Sequence, residues 1–557
     1  MNFERDFHID RMKSEQFDVL VIGGGITGVG VALDAASRGL RAALVEKDDF
    51  SSGTSSKSSK LIHGGLRYLQ QGEIGLVYEA LHERQRLRKN APHLVQLLPF
   101  MIPILTKDGV VSRKIARALG SALWMYDLTG GWRIGKFHRR LKAKAAHAHL
   151  PTMPFEKLAS AYLYYDAAAD DSRLCVALAR TAAQHGAAIA NQCRVTKIVH
   201  DEQGIARGAQ VHPTDGDPFT IRATTVVNAA GVWADEVRQA DEGTNPHSIR
   251  PAKGIHVTVP WEKVRNDIAI VIPVRRDKRS LFVVPWIPHG DGTYKYTYIG
   301  TTDTDFAGGV NESQTSAEDI HYVLEALNQS ITTKVTVDDV TAVWSGLRPL
   351  VSNEDGSAAT GKTADLSRKH KVKVSPSGVI SIMGGKLTTY RKMSEHTVDE
   401  VVKHTGKARK CKTKNLSIIG AAGFRPSMLK GPDAHLAERF GSEMNAIKDL
   451  ITQNSSLGEP LVVGLPYLRA EAVFACRNEM AQTLDDVLSR RTRARIINRR
   501  ATLDSARSVA ELMAGELNWD SAEIDRQISE FVDSCSREEA AGMVSEAEFL
   551  ASQYHLR

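Results

Sequence analysis

The stretch Gly23-Gly24-Gly25-Ile26-Thr27-Gly28 has the residue types and spacing to hold a phosphate. Gly23 permits a tight turn, Gly25 lets the backbone approach a pyrophosphate, and Gly28 lets a helix pack against a strand. A helix starting there offers free N–H groups and the positive end of its dipole to the anion. Glu46 ends the next apolar run and is spaced to accept a hydrogen bond from an adenosine ribose. That acid suits NAD and FAD equally. A second turn, Ala229-Ala230-Gly231 in TTVVNAAGVWAD (224–235), lets the chain pass close to a cofactor and favours FAD.

Five residues after Glu46 begins SSGTSSKSSKLIHGGLRYLQ (51–70). A serine-rich run of this kind is either a flexible linker or a loop that wraps a ligand. Its position at the outlet of the second strand favours the loop. Small hydroxylated residues supply hydroxyl and N–H donors to phosphate and flavin. Ser55, Ser56 and Ser59 are the expected contacts. His63, Gly64, Gly65, Arg67 and Tyr68 then bridge toward a substrate.

These residues need elements to position them. FDVLVI (17–22) reads as a buried strand, ITGVGVALDAASR (26–38) as a helix closed by Gly39, and RAALVE (41–46) as a second strand. Together they make a βαβ nucleotide-binding unit. Further strands are expected at 195–199, 224–228, 269–274, 281–285, 297–301 and 379–383. Helices are expected at 76–90, 112–127, 172–185 and 317–328. Beyond about 405 the pattern turns helical.

With 557 residues the chain exceeds one core and should form two or three domains. At 42% hydrophobic and 25% charged, the composition is that of a globular protein. No run is long and apolar enough to span a membrane, and the N-terminus lacks a signal-type segment. None of the five cysteines forms a CxxC pair, so no metal site is expected. A net charge of +7 mildly favours acidic partners.

Seven segments, in this order, resemble the FAD-dependent glycerol-3-phosphate dehydrogenases of the D-amino-acid-oxidase-like flavoproteins. They are DVLVIGGGITGVG (18–30), TSSKSSKLIHGGLRYL (54–69), VVNAAGVWAD (226–235), AKGIHVTVP (252–260), YIGTTDTD (298–305), WSGLRPL (344–350) and MGGKLTTYR (383–391). The tail resembles the family's C-terminal helical domain. The resemblance implies a mixed α/β and α+β fold: a Rossmann-like FAD-binding domain, a mixed-sheet substrate (cap) domain and a C-terminal all-helical domain. The expected boundaries are 16–100, 155–245 and 340–400 for the first, 101–154 and 246–339 for the second, and 405–557 for the third.

The resemblance also implies oxidation of sn-glycerol 3-phosphate to dihydroxyacetone phosphate, with hydride passed to non-covalent FAD and electrons on to a membrane quinone. A phosphorylated substrate needs arginine. Arg348 in GLRP is the first choice, Arg67 the second and Arg368 the third. His256 in AKGIH is the expected base, with His63 as runner-up. Lys386 is expected beside the flavin, where it would stabilise developing negative charge or bind phosphate. Leu387 and Thr388 would present donors to the ring, and Thr301 and Thr302 pocket hydroxyls.

Quinone use requires contact with lipid. The stretch 111–144 places Arg113, Lys114, Arg117, Arg139, Arg140, Lys142 and Lys144 around an apolar centre with Trp124, Tyr126 and Trp132. It reads as an anionic-membrane interface or as a helix packing by its apolar face. The cluster 490–500 reads as a solvated face or a domain contact. The expected location is the cytoplasm, with peripheral contact at the inner face of the membrane, and a homodimer is allowed. The rival functions are a glycerol-3-phosphate oxidase using oxygen, an amine or amino-acid oxidase of the same fold, and a nucleic-acid-binding flavoprotein. No RNA- or DNA-binding motif supports the last.

Overall fold

The computed structural model describes residues 3–65, 73–105, 113–131, 135–274, 280–306, 308–311, 313–352, 369–407 and 409–544. Two sheets organise the chain. In the first, five strands run parallel in the order Ile380–Met383, Phe219–Asn228, Gln16–Ile22, Ala42–Val45 and Ala188–Ala190. Lys371–Val374 closes one edge, and Cys193–His200 and Ala206–Pro213 form an antiparallel layer on Phe219–Asn228.

The strand Gln16–Ile22 is buried from Phe17 onward, because both faces are covered. Val19 and Val21 face the helices Ile26–Ser37, Asp171–Gln184 and Tyr390–Thr405. Leu20 and Ile22 face the antiparallel layer and an N-terminal helix, Arg5–Ser14. That helix has no clear apolar period in the sequence, because its buried face includes Arg5 and His8 beside Ile9 and Met12.

The second sheet has the order Thr304–Asp305, Ile249–Pro260, Tyr294–Gly300, Ser280–Pro288, Ala269–Pro273, Val95–Leu105, Leu158–Ala169, Leu61–Ile62. Ala342–Val351 also pairs with Ile249–Pro260. One face packs on the helix Ala317–Asn328, and the other holds Trp286, Tyr298 and Trp344 against the helical tail.

The second sheet includes Leu61–Ile62, Leu158–Ala169 and Ala342–Val351, strands that the expected boundaries group with the cofactor-binding segments. The chain crosses between sheets more often than local pattern reveals. Val95–Leu105 is a strand outside the expected ones, and it carries Pro99 and Pro103, which weaken a local strand signal.

The tail is helical, including Ala434–Phe440, Met444–Gln453, Arg469–Asn478, Arg499–Leu517 and Ser521–Gly542. The cluster 490–500 is a domain contact: Arg491 is fully buried against Asp49 of the first domain.

Buried ion pairs join helices that apolar contact alone would leave free to slide. Arg391 of Tyr390–Thr405 donates to Glu83 of Ile74–Asn90 at 2.6 Å and to Glu395 at 2.9 Å. Burial opposes ionisation of Glu395, but Arg391, Lys392 and Lys414 overcome it and hold its carboxyl down at about 2. Its stabilising contribution is therefore full above the ordinary value of 4.5 and is lost as pH falls toward 2. Arg391→Met leaves Glu83 without this partner, and we expect a loss of about 3–5 kcal/mol. A lowered urea midpoint checks it, and an unchanged midpoint refutes it.

Candidate active site

The glycine loop leaves the strand Gln16–Ile22 where Ile22 pairs with both Asn228 and Val45, so it opens at the carboxyl ends of three parallel strands. Gly23 adopts φ +112°, and a Cβ there would lie 2.7 Å from the carbonyl oxygen of Ala229. A Cβ on Gly28 would collide with the carbonyl of Gly23, so the third glycine serves the packing of helix on strand. The Glu46 carboxylate accepts from the N–H of Gly24 at 2.6 Å and of Asp48 at 3.0 Å. Burial raises its carboxyl to about 7, against the pull of those two hydrogen bonds.

A cavity of about 950 Å³ extends from this loop to the second sheet. Gly23, Gly25, Glu46, Ser55, Ser59, His63, Gly65, Ala230, Gly231, Lys386, Leu387, Thr388, His256, Thr302 and Arg348 all line it. Three expected residues do not: Gly28, which packs helix on strand, Ser56 and Gly64. Ser56 lies off the wall, and its carbonyl accepts from Lys60 Nζ at 2.9 Å. Gly64 also lies off the wall; its N–H donates to the Tyr126 hydroxyl at 3.0 Å, with the helix Ile74–Asn90 alongside. Arg67 and Arg368 lie outside the described residues, as do Tyr68 and Trp132.

The serine run is no free linker. Ser58 donates to Asp171 through both its N–H (3.1 Å) and its hydroxyl (2.6 Å), and Lys60 Nζ donates to Asp171 at 2.9 Å. Ser55 Oγ accepts from the N–H of Ile26, at the start of the glycine-loop helix, at 2.9 Å. On the other side, Thr54 donates to the carbonyl of Leu347, Trp344 Nε1 to that of Ser58, and the Tyr298 hydroxyl to that of Ser59. The loop is hydrogen-bonded to both domains at once.

The second sheet brings its functional residues together by register. Ala252 pairs with Arg348, Gly254 with Gly346, and His256 with Trp344. Alternation puts all six on one face. The two glycines leave the middle of that face bare. A Cβ on Gly346 would lie 2.6 Å from the carbonyl of Lys57, and one on Gly254 would collide with the Arg348 guanidinium. Arg348 is aimed from that gap by Asp303 Oδ1 (3.2 Å), Thr301 Oγ1 (3.1 Å) and the carbonyl of Thr302 (3.1 Å). The Thr302 hydroxyl accepts from the N–H of Ile255 at 3.0 Å, which ties it to the neighbouring strand.

His256 stacks on Trp344 with ring centroids 4.6 Å apart and planes 8° apart, and its Nε2 sits 2.9 Å from Ser59 Oγ. Its Nδ1 is buried with no hydrogen-bond partner among the described residues. Burial, with the charges of Lys60 and Arg348, lowers its pKa well below the ordinary 6.5, so the ring is neutral. Thr388 exchanges hydrogen bonds with the backbone of His63 at 3.2 and 3.3 Å, fixing His63 to the turn Leu387–Thr389 just beyond Lys386.

Several residues with a clear part in this geometry are not among the expected ones. Asp303 and Trp344 stand inside recognised segments, but nothing in their spacing sets them apart. Trp233 lines the cavity with its ring over Lys47 Nζ at 4.1 Å. Asp171 carries no local signal, because its role comes from the loop that folds onto it.

An extended dinucleotide fits this cavity. The glycine cradle admits a pyrophosphate that a side chain would exclude, Glu46 faces the cavity from the end of the second strand, and the His256 imidazole lines the same cavity from the second sheet. Residues 18–391 match the FAD-dependent oxidoreductase family, and residues 411–524 match the C-terminal domain of alpha-glycerophosphate oxidase. Glycerol-3-phosphate dehydrogenase 2 of Mycobacterium tuberculosis is 37% identical over 94% of this chain and 88% of its own. The human mitochondrial glycerol-3-phosphate dehydrogenase is 36% identical over 92% of this chain and 72% of its own. The structure of the Bacillus halodurans glycerol-3-phosphate dehydrogenase complexed with FAD superposes with a TM-score of 0.75 at 30% identity, covering 97% of both chains. The chain therefore belongs to the FAD-dependent oxidoreductases, within the branch of the glycerol-3-phosphate dehydrogenases, and FAD is its cofactor.

Proposed function

We propose that the protein oxidises sn-glycerol 3-phosphate at its secondary alcohol to dihydroxyacetone phosphate, and that Arg348 binds the phosphate. The observation that carries this reading is the seating of Arg348. It is a guanidinium fixed by three acceptors and aimed from a glycine-lined gap into the cavity that begins at the dinucleotide loop. A preoriented planar donor set matches a small phosphorylated dianion. Arg67 and Arg368 would add further positive charge.

Bound FAD supplies the hydride acceptor. The chain must take the hydroxyl proton, and His256 is placed to do so: it lines the cavity, is neutral, and is oriented by Ser59 and Trp344. Its depressed pKa makes it a weak resting base, so binding of an anion beside Arg348 would strengthen it by offsetting that positive charge. His63, on the same wall, is the alternative. Lys386 would hold positive charge where negative charge develops.

For the acceptor we favour a membrane quinone over oxygen, on the strength of one helix. Leu119 and Ala122 of Arg113–Tyr126 line the cavity, while Trp124 is 58% exposed and Leu128, just beyond, 68% exposed. Phe137 is also exposed, and exposed Arg139, Arg140, Lys142 and Lys144 come next in the chain. Aromatic and basic residues side by side suit an anionic bilayer surface. No helix among the described residues is long and apolar enough to cross a membrane.

Three outcomes test these readings. Arg348→Ala should raise KM for glycerol 3-phosphate about 100-fold with FAD still bound, and unaltered kinetics would remove the phosphate assignment. A ribose hydroxyl donated to Glu46 favours the ionised carboxylate, so FAD affinity should rise by up to about tenfold per pH unit as pH climbs toward about 7. Glu46→Gln should flatten that titration, and a flat wild-type profile excludes the linkage. In flotation, the protein should rise with vesicles containing phosphatidylglycerol and lose binding on Trp124→Ala/Leu128→Ala. Failure of the wild type to float removes the membrane contact.

A further inference from the structure

The helical tail has no task that its sequence reveals, and its arginine cluster is far from the glycine loop along the chain. In the fold this cluster reaches the loop. Asp49 stands three residues beyond Glu46 and is 1% exposed. Its Oδ2 accepts from Arg490 Nε at 2.7 Å and Arg491 Nη1 at 2.6 Å. Its Oδ1 accepts from Arg491 Nη2 at 2.8 Å and Asn191 Nδ2 at 3.1 Å. Both arginines sit at the end of the π-helical turn Asp486–Arg491. The tail holds them from behind: Arg490 donates to Asp485 and Asp486, and Arg491 to the carbonyl of Glu479.

The two residues after Asp49 touch the cofactor loop directly. Phe50 is fully buried, and a Cβ on Gly24 would lie 3.0 Å from its ring. The N–H of Ser51 donates to the carbonyl of Gly24 at 3.1 Å, and the Ser51 hydroxyl lies 2.6 Å from that of Ser172. The Glu46 carboxylate holds the Gly24 N–H from the opposite direction. Gly24 is thus gripped on both its N–H and its carbonyl by the segment that Asp49 anchors. Four donors on one buried carboxylate, three of them fully buried, form a far stiffer anchor than chain connectivity provides.

We propose that the C-terminal domain is a clamp on the FAD-binding loop, with Arg490 and Arg491 as positioning residues that act through Asp49 on Gly24 and its neighbouring glycines. The inference rests on FAD occupying the cavity, and its test reads FAD binding, not turnover. Loss of the tail contact lets the 46–51 segment relax, and the cradle of N–H groups around the pyrophosphate then loses its preorganisation.

The test compares two interdomain ion pairs in the full-length protein. Arg180 of Asp171–Gln184 also reaches the tail, bonding Glu443 at 2.7 and 2.9 Å, and these bonds do not involve the 46–51 segment. Apoprotein is prepared for wild type, Arg491→Gln, Arg490→Lys and Arg180→Gln, and FAD is titrated by quenching of its fluorescence. Arg491→Gln should weaken FAD binding about tenfold or more and Arg490→Lys by a smaller factor, while Arg180→Gln stays within about twofold of wild type. Apoprotein melting is measured in parallel. Equal FAD affinity in all four proteins overturns the clamp. So does a loss of affinity in Arg180→Gln matching that in Arg491→Gln, since that would report loosened domains and not a positioned loop. If Arg491→Gln does not fold, the contrast between Arg490→Lys and Arg180→Gln decides on the same criterion.

Discussion

The pairing of Asp171 with Lys60 and Ser58 is the constraint on which the site depends. Asp171 opens the helix Asp171–Gln184, and both members of its ion pair with Lys60 are almost fully buried. A buried lysine or carboxylate alone would be expelled toward water or neutralised. Paired and hydrogen-bonded, they hold a serine-rich segment that would otherwise favour disorder. With the segment held there, its outward carbonyls and hydroxyls meet Trp344, Tyr298 and His256 of the second sheet. The cavity has one wall from each sheet because this loop is fastened to both.

The second sheet contributes by what it omits. Gly254 and Gly346 face each other across neighbouring strands, where two ordinary side chains would fill the space. Their absence lets the serine loop lie flat on the strands and lets the Arg348 guanidinium turn inward. Glycine weakens a strand. Its presence at a cross-strand pair beside an arginine and a histidine therefore marks a place where space matters more than strand stability.

Arginine does two different jobs in this chain. Arg348 faces the cavity. Arg173, Arg439 and Arg491, all buried, and the half-buried Arg490 and Arg493 form ion pairs between the first domain and the tail. The positive charge of these side chains is satisfied internally by Glu479, Asp170 and Asp49. The net charge of +7 therefore says less about partners than the location of each charge does.

Elements whose signals are local were legible from the residues alone. The glycine spacing, the buried strand 17–22, the helix Ala317–Asn328 and the helical character of the tail all belong here, because turn geometry and hydrophobic period are properties of neighbouring residues. Position after the second strand made Ser55 and Ser59 candidates, the family resemblance made His256, Lys386 and Arg348 candidates, and all five line one cavity. It took the folded chain to establish that Ser56 and Gly64 lie off that wall, that His256 is stacked on Trp344 and buried neutral, and that the arginine cluster of the tail grips Asp49. The partners of that last contact stand 442 residues apart. Local sequence sets backbone preference and periodicity, whereas burial, charge pairing and the direction of a side chain depend on which distant surfaces meet.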